Sequence, residues 1–312
     1  MNSNAASYEA APGVAPKEMV KIQHLKLNDG NEIPMVGYGA GTAHYKSDAS
    51  SLLDKSLVAT FVMALKAGYH HLDAAEAYGN EAEVGAAIKE AGISRDQLYI
   101  TTKVSGIQVQ DTEESFAVSL RKLGVEYVDQ YLIHAPFFAD GSEAALQAKW
   151  ADLEAIQASG RAKTIGVSNF GKRDLETILK TAKVVPAINQ IEFHPYLQHG
   201  DLLAWHKEKG IATSAYAPLT AVTKASPGPL DDTYAKLARK YGVTPGEIAL
   251  RWVIDLGVVV LTTSTKEDRL RAYQKVGKFK LTPKECETIS EIGKEKNFRG
   301  FWNVKFAHDD FS

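Results

Sequence analysis

Eight short apolar runs, each followed by an amphipathic stretch that closes on glycine, constrain the fold of this 312-residue chain more than any other feature. The runs lie near Val36–Gly39, Tyr69–Leu72, Leu98–Thr102, Val128–Ile133, Ala162–Val167, Ala187–Gln190, Ile211–Ser214 and Val258–Leu261. They are mostly apolar throughout, as parallel strands covered on both faces are. The helical stretches between them are well punctuated. One spans about Ser56 to Ala67, sets Val58, Phe61, Val62 and Leu65 on one face and stops at Gly68. Asn80 with Glu83, Asp111 with Glu114, and Thr244-Pro245 with Glu247 read as helix starts, while Gly92, Gly124, Gly160, Gly210, Gly242 and Gly257 stand at helix ends. Strands alternating with helices form a parallel sheet. Eight such units favour closure, so the expected fold is α/β, a (β/α)8 TIM barrel, with a doubly wound open sheet as the alternative. Leu25 to Ile33, with Asp29-Gly30 at the turn, predicts a β-hairpin ahead of the barrel.

The first twenty residues, rich in Ala, Ser and Pro, are expected to form a disordered tail, and residues 21–312 a single barrel domain. They lack the basic start and apolar core of a secretion signal. No apolar run approaches the ~20 residues of a membrane span, and a net charge of −2 gives no reason to expect nucleic acid or an acidic membrane as partner. The one cysteine, Cys286, excludes an internal disulfide. A cytoplasmic protein is the expectation.

In such a barrel, chemistry gathers at the C-terminal ends of the strands. Asp73, Lys103, His134, Ser168-Asn169, Gln190, Tyr216 and Ser264 all fall there, and Tyr78 follows Asp73 by five residues. A phenol, an ammonium, a carboxylate and an imidazole brought together can protonate a carbonyl oxygen during reduction. Hydride for the carbon must come from a nicotinamide cofactor, because no side chain supplies it. A phenol with a pKa near ~10 gains acidity beside a cation, typically by roughly 1–3 units; Lys103 is the expected cation and Asp73 its partner. Singly, each residue has a plain alternative: a structural ion pair, a packed tyrosine, a satisfied core histidine. His70, His71 and Asp73 crowd together, but neighbouring strand residues point to opposite faces, so no metal is expected. Gly37-Tyr-Gly39-Ala-Gly41 lacks the G-x-G-x-x-G spacing and the following helix of a dinucleotide fingerprint, and reads as a strand running into a loop.

Gly68-Tyr-His-His-Leu-Asp73-Ala-Ala-Glu-Ala-Tyr78-Gly-Asn-Glu81-Ala-Glu-Val-Gly85, Gly166-Val-Ser-Asn-Phe170 and Asn189-Gln-Ile-Glu-Phe-His-Pro195 resemble the signatures of the aldo-keto reductases, from about Ile22 to the C-terminal region. His70 departs from the family's usual arginine. Leu261-Thr-Thr-Ser-Thr-Lys266-Glu-Asp-Arg269 and Phe301-Trp-Asn303 are most similar to the microbial conjugated polyketone, ketopantoyl lactone and α-keto amide reductases.

The resemblance implies an NADPH-dependent reductase with Tyr78 as proton donor, Lys103 and Asp73 activating it, and His134 orienting the carbonyl. It implies Gly41 and Thr42 near the cofactor's pyrophosphate–ribose region, Ser168, Asn169 and Gln190 on the carboxamide, and Tyr216 stacked on the nicotinamide. Thr263 stands where the family usually has the lysine for the 2′-phosphate, so Ser264, Lys266 and Arg269 are expected to take that role. The mouth is expected from His44 and Tyr45, from Phe137 and Phe138, and from a C-terminal loop over the site carrying Phe301 and Trp302; Ala43 replaces a tryptophan common among relatives. Such an aromatic mouth suits apolar or conjugated carbonyl compounds, and the resemblance implies α-dicarbonyl compounds. An aldose or polyol reductase is the alternative, a non-catalytic barrel the alternative of another class, and a monomer the expected state.

Overall fold

The computed structural model describes residues 24–47, 52–105 and 111–306; the expected disordered tail lies outside them. A two-stranded antiparallel hairpin, β1 (Leu25–Lys26) and β2 (Glu32–Ile33), pairs Leu25 with Ile33. Asp29 accepts from the Asn31 N–H in its turn. Eight parallel strands then close into a barrel: β3 (Val36–Gly39), β4 (His71–Asp73), β5 (Tyr99–Val104), β6 (Val128–Ile133), β7 (Ala162–Ser168), β8 (Ile188–Glu192), β9 (Ala212–Tyr216) and β10 (Val259–Thr262), with β10 returning to β3. The open-sheet alternative is thereby excluded.

All eight expected strands are present, several ending later than their apolar runs. Asp73 pairs in register with Gly39 and Thr101, and Lys103 with Leu132. A charged side chain at a strand end reads as loop, yet here Asp73 and Lys103 neutralise each other inside the barrel and the ladder continues through them.

The outer ring consists of α1 (Lys55–Lys66), α2 (Glu81–Ala91), α3 (Thr112–Leu123), α4 (Glu143–Ala158), α5 (Lys172–Leu179), α6 (Leu202–Glu208), α7 (Asp231–Tyr241), α8 (Pro245–Asp255), α9 (Glu267–Tyr273) and α10 (Pro283–Gly293). The buried face of α1 comprises Leu57, Val58, Phe61, Val62, Ala64 and Leu65. Thr244 and Glu247 form the expected reciprocal cap of α8, and Asp111 accepts from the first N–H groups of α3.

The Asn80–Glu83 pair is different. Asn80 occupies the cap position of α2, but its side-chain nitrogen donates to Ala40 O (2.7 Å) and His44 O (2.8 Å). Glu83 accepts from Lys46 Nζ (2.6 Å) and the Asp54 N–H (3.0 Å). Both side chains hold the loop after β3 against α2, which fixes one wall of the mouth.

Candidate active site

The C-terminal mouth opens onto a cavity of about 880 Å3. Asp73, Ser168 and Tyr216 are the last residues of their strands, Gln190 sits within β8, and His134 directly follows β6. Gly41, Thr42, Tyr45, Asp73, Tyr78, His134, Ser168, Asn169, Gln190, Tyr216 and Trp302 border the cavity. Four of its wall residues other than glycine, Thr42 (φ 50°), Asn169 (φ 60°), Ala217 (φ 54°) and Trp302 (φ 59°), adopt the left-handed backbone region. Such strain gathers where function demands a particular side-chain placement.

Beneath the mouth, Lys103 is fully buried. Its Nζ donates to Asp73 Oδ2 (2.8 Å), Ala74 O (2.9 Å) and Tyr78 Oη (3.2 Å). An ammonium has three donors and no acceptor, so the Tyr78 oxygen must accept and its own hydrogen is free to point into the cavity. The β3–α1 loop makes room for that ring: a Cβ on Gly41 would lie 2.8 Å from Tyr78 Cζ. The His134 ring meets the Tyr78 ring edge-on, with centroids 5.4 Å apart.

The electrostatics correct one expectation. Burial raises the Tyr78 phenol above its ordinary value, and the neighbouring Lys103 ammonium draws it back only in part. Desolvation outweighs the cation, so the phenol stays protonated at neutral pH. Burial alone would depress Lys103, but the Asp73 carboxylate and the Tyr78 oxygen reverse this and hold the ammonium above its usual range. His134 is pushed down to about 3 by burial and by the Lys103 charge. It is therefore a neutral imidazole.

The polar wall opposite is just as constrained. Gln190 Nε2 donates to Asp73 Oδ1 at 2.8 Å. A carboxylate only accepts, so the Gln190 amide cannot turn round, and Oε1 is left as its acceptor. Asn169 donates to His134 O (2.8 Å) and Ser168 Oγ (3.0 Å) and accepts from Tyr216 Oη (2.7 Å). Ser168 Oγ donates to Gln190 O (2.8 Å).

Other expected residues lie elsewhere. His44 is buried, with Nε2 2.7 Å from Tyr38 Oη and its ring against Phe61; it faces the core, contrary to the expected place at the mouth. Phe138 packs against the core and under Lys149 Nζ (5.8 Å), also away from the cavity. Phe137 backs onto Trp302, centroids 5.0 Å apart. Ser264, Lys266 and Arg269 stand beyond the cavity wall: Ser264 Oγ accepts from the Lys266 N–H (3.0 Å), and Lys266 and Arg269 are exposed. Thr263 is on the wall, donating to Gly39 O (2.8 Å).

Sequence reasoning passed over the segment from Ala217 to Thr220, with Thr223 and Lys224, which forms another wall of the cavity. The Ala217-Pro218 step after β9 was its available signal. No helix among the described residues is long and apolar enough to cross a membrane.

The sequence profile of the Aldo/keto reductase family matches residues 38–294. An NADPH-dependent alpha-keto amide reductase of Saccharomyces cerevisiae is 38% identical over 303 residues, covering 93% of this chain and 97% of its own length. An NAD/NADP-dependent indole-3-acetaldehyde reductase of Schizosaccharomyces pombe is 36% identical over 274 residues, covering 87% and 96%. Among solved structures, a Bombyx mori aldo-keto reductase in complex with NADP superposes with a TM-score of 0.79 at 32% identity, covering 89% of this chain and 95% of that one.

Proposed function

The chain belongs to the aldo/keto reductase family, and from that premise we propose that it is an NADP(H)-dependent carbonyl reductase acting on α-dicarbonyl compounds, with Tyr78 as the proton donor. The observation that carries this reading is the hydrogen-bond polarity at Lys103: with all three ammonium hydrogens given away, the Tyr78 hydroxyl has its proton to offer.

The wall residues fit a nicotinamide. A carboxamide needs both an acceptor and donors; Gln190 Oε1 is the acceptor that remains once Nε2 is given to Asp73, and Ser168 and Asn169 stand beside it. Tyr216 provides a ring face held in place through Asn169. When bound, the cofactor supplies hydride to the carbonyl carbon. Everything else falls to the protein. Tyr78 gives its proton to the carbonyl oxygen, and Lys103 stabilises the phenolate left behind. Asp73 keeps Lys103 charged. Neutral His134 donates a hydrogen bond to the same oxygen without adding a competing charge. Thr42 and Gly41 border the region assigned to the pyrophosphate and ribose, and Lys266 and Arg269 are assigned the 2′-phosphate in place of the lysine absent at Thr263.

The substrate class rests on the rim. Tyr45, Phe301 and Trp302 offer apolar faces and Ala43 leaves space. α-Dicarbonyls suit such walls, and one carbonyl activates the other, whereas a sugar requires many fixed hydrogen bonds. The full chain is expected to act as a monomer. Following NADPH absorbance with isatin, ketopantoyl lactone and xylose tests the reading. Rapid loss with the first two and little with xylose is expected; turnover confined to xylose, or none at all, overturns it.

A further inference from the structure

The loop that carries Phe301 and Trp302 is tied to the barrel through Glu192, the last residue of β8. Glu192 is 2% exposed. Its Oε1 accepts from the Gly300 N–H (2.8 Å) and its Oε2 from the Phe301 N–H (3.0 Å), while His194 Nε2 lies 3.2 Å from Oε1. These two charge-assisted bonds end on Gly300 and on Phe301, the first of the two residues that enter the mouth. Phe301 then stands edge-on to Tyr216, centroids 5.4 Å apart, with Lys224 Nζ 4.3 Å over its face. Trp302, at φ 59°, reaches Phe137 and the ring of His134. A non-glycine residue persists in that backbone region only when its surroundings hold it there, and the bonds to Glu192 immediately precede it.

We propose that Glu192 is a specificity-determining positioning residue, which selects wide, planar carbonyl substrates by fixing Phe301 and Trp302 as the outer wall of the mouth. Glu192 does not border the cavity and touches neither hydride path nor proton path; it acts through the loop. The same strand carries Gln190, two residues deeper, so β8 sets both the inner polar wall and the outer aromatic wall. A substrate small enough to lie between Tyr78 and His134 without reaching the loop is indifferent to Glu192. One wide enough to need Phe301 and Trp302 depends on it. This inference rests on the proposed carbonyl reduction.

The test uses the full-length enzyme with isatin as the wide dione and butane-2,3-dione as the small one. Glu192→Ala removes both acceptors. Gly300→Pro removes one donor from the loop side, and its added Cβ, 2.9 Å from Glu192 Oε1, pushes that carboxylate off the loop while the Glu192 side chain itself is kept, so it decides the matter if the first variant does not fold. In either variant KM for isatin should rise on the order of tenfold, the loss appropriate to a charge-assisted hydrogen bond. The values of kcat/KM for butanedione and the NADPH Kd from fluorescence titration should stay within about twofold. Trp302→Ala should likewise raise KM for isatin, and combining it with Glu192→Ala should add little further to that rise. Equal losses on both diones, weakened NADPH binding, or unchanged discrimination in a folded variant each overturn the assignment. Native enzyme that reduces neither dione overturns the parent reading instead.

Discussion

Gln190 on β8 and Asp73 on β4 meet across the barrel lumen, Nε2 to Oδ1 at 2.8 Å, while the other Asp73 oxygen binds Lys103. The residue proposed to receive the nicotinamide carboxamide is thus one hydrogen bond from the carboxylate that keeps the ammonium charged. Gln190→Met should therefore damage two quantities at once. The NADPH Kd should rise and the single-turnover hydride-transfer rate should fall, each on the order of tenfold. Fluorescence titration and stopped-flow absorbance measure them separately. A change in Kd alone would show that the contact with Asp73 is idle.

With Tyr78 as the proposed donor, reduction requires its phenol to be protonated. Burial holds it above its ordinary value, so kcat/KM for reduction should be flat through neutral pH and decline only beyond the usual phenol range near ~10. His134, neutral from about 3 upward, should add no limb between pH 5 and 8. Tyr78→Phe should cost on the order of 10²–10⁴ in turnover with NADPH binding nearly intact. Lys103→Met removes the one pull that lowers the phenol, so the alkaline limb should move to still higher pH as turnover falls. Movement to lower pH would contradict the assignment.

Gly41→Ala tests the seat of the donor. The added carbon would sit 2.8 Å from Tyr78 Cζ, too close for the ring to stay. Turnover should fall roughly tenfold or more, because small misplacements of a reacting group are costly. The melting temperature should change little. Wild-type turnover would mean that the ring has slack this packing does not allow.

Lys266 and Arg269, the residues proposed to set cofactor preference, stand outside the cavity wall. If Lys266 and Arg269 hold the 2′-phosphate, Lys266→Ala and Arg269→Ala should each raise KM for NADPH about tenfold, as loss of a charge-assisted contact does. KM for NADH should not change. An unaltered ratio between the two cofactors would return both residues to the solvated surface.

His71 makes an acid-stability prediction. It is fully buried, with Nδ1 3.2 Å from Pro34 O and Nε2 3.4 Å from Thr101 Oγ1, and burial pushes it down to about 4. Below its unfolded value near ~6.5, the unfolded chain binds a proton that the folded chain refuses. Stability from His71 is thus complete above that value and drains away as pH falls toward about 4. The slope should be about 1.4 kcal/mol per pH unit. His206, also pushed down to about 4 by burial, adds a similar term. Urea midpoints between pH 4 and 7 should show the decline, and His71→Gln should make it shallower.

Much of this fold was legible because its signals are local. Runs apolar on both faces mark the strands, and residues such as Gly92, Gly124 and Gly242 do end helices in the left-handed conformation. The grouping of Asp73, Lys103 and His134 at the strand ends was legible because a carboxylate, an ammonium and an imidazole stand out against apolar strands. What stayed hidden depends on distant partners. His44 reads as a mouth residue until Tyr38 and Phe61 take it inward. Asn80 and Glu83 read as a cap until the loop after β3 claims both side chains. The acidity of Tyr78 could not be judged from Lys103 alone, since burial sets the larger contribution.

Asp73, Lys103 and Gln190 are borne on strands or directly at their ends, whereas Tyr45, Lys224, Phe301 and Trp302 sit on connecting segments. That division makes the scaffold suited to engineering. The segment around Lys224 can be grafted from other barrels, or diversified in libraries, without disturbing the strand-borne groups, whereas the loop after β3, which carries Tyr45, also seats Tyr78. Selection for new ketones should then accumulate changes in the connecting segments while the strand ends stay as they are.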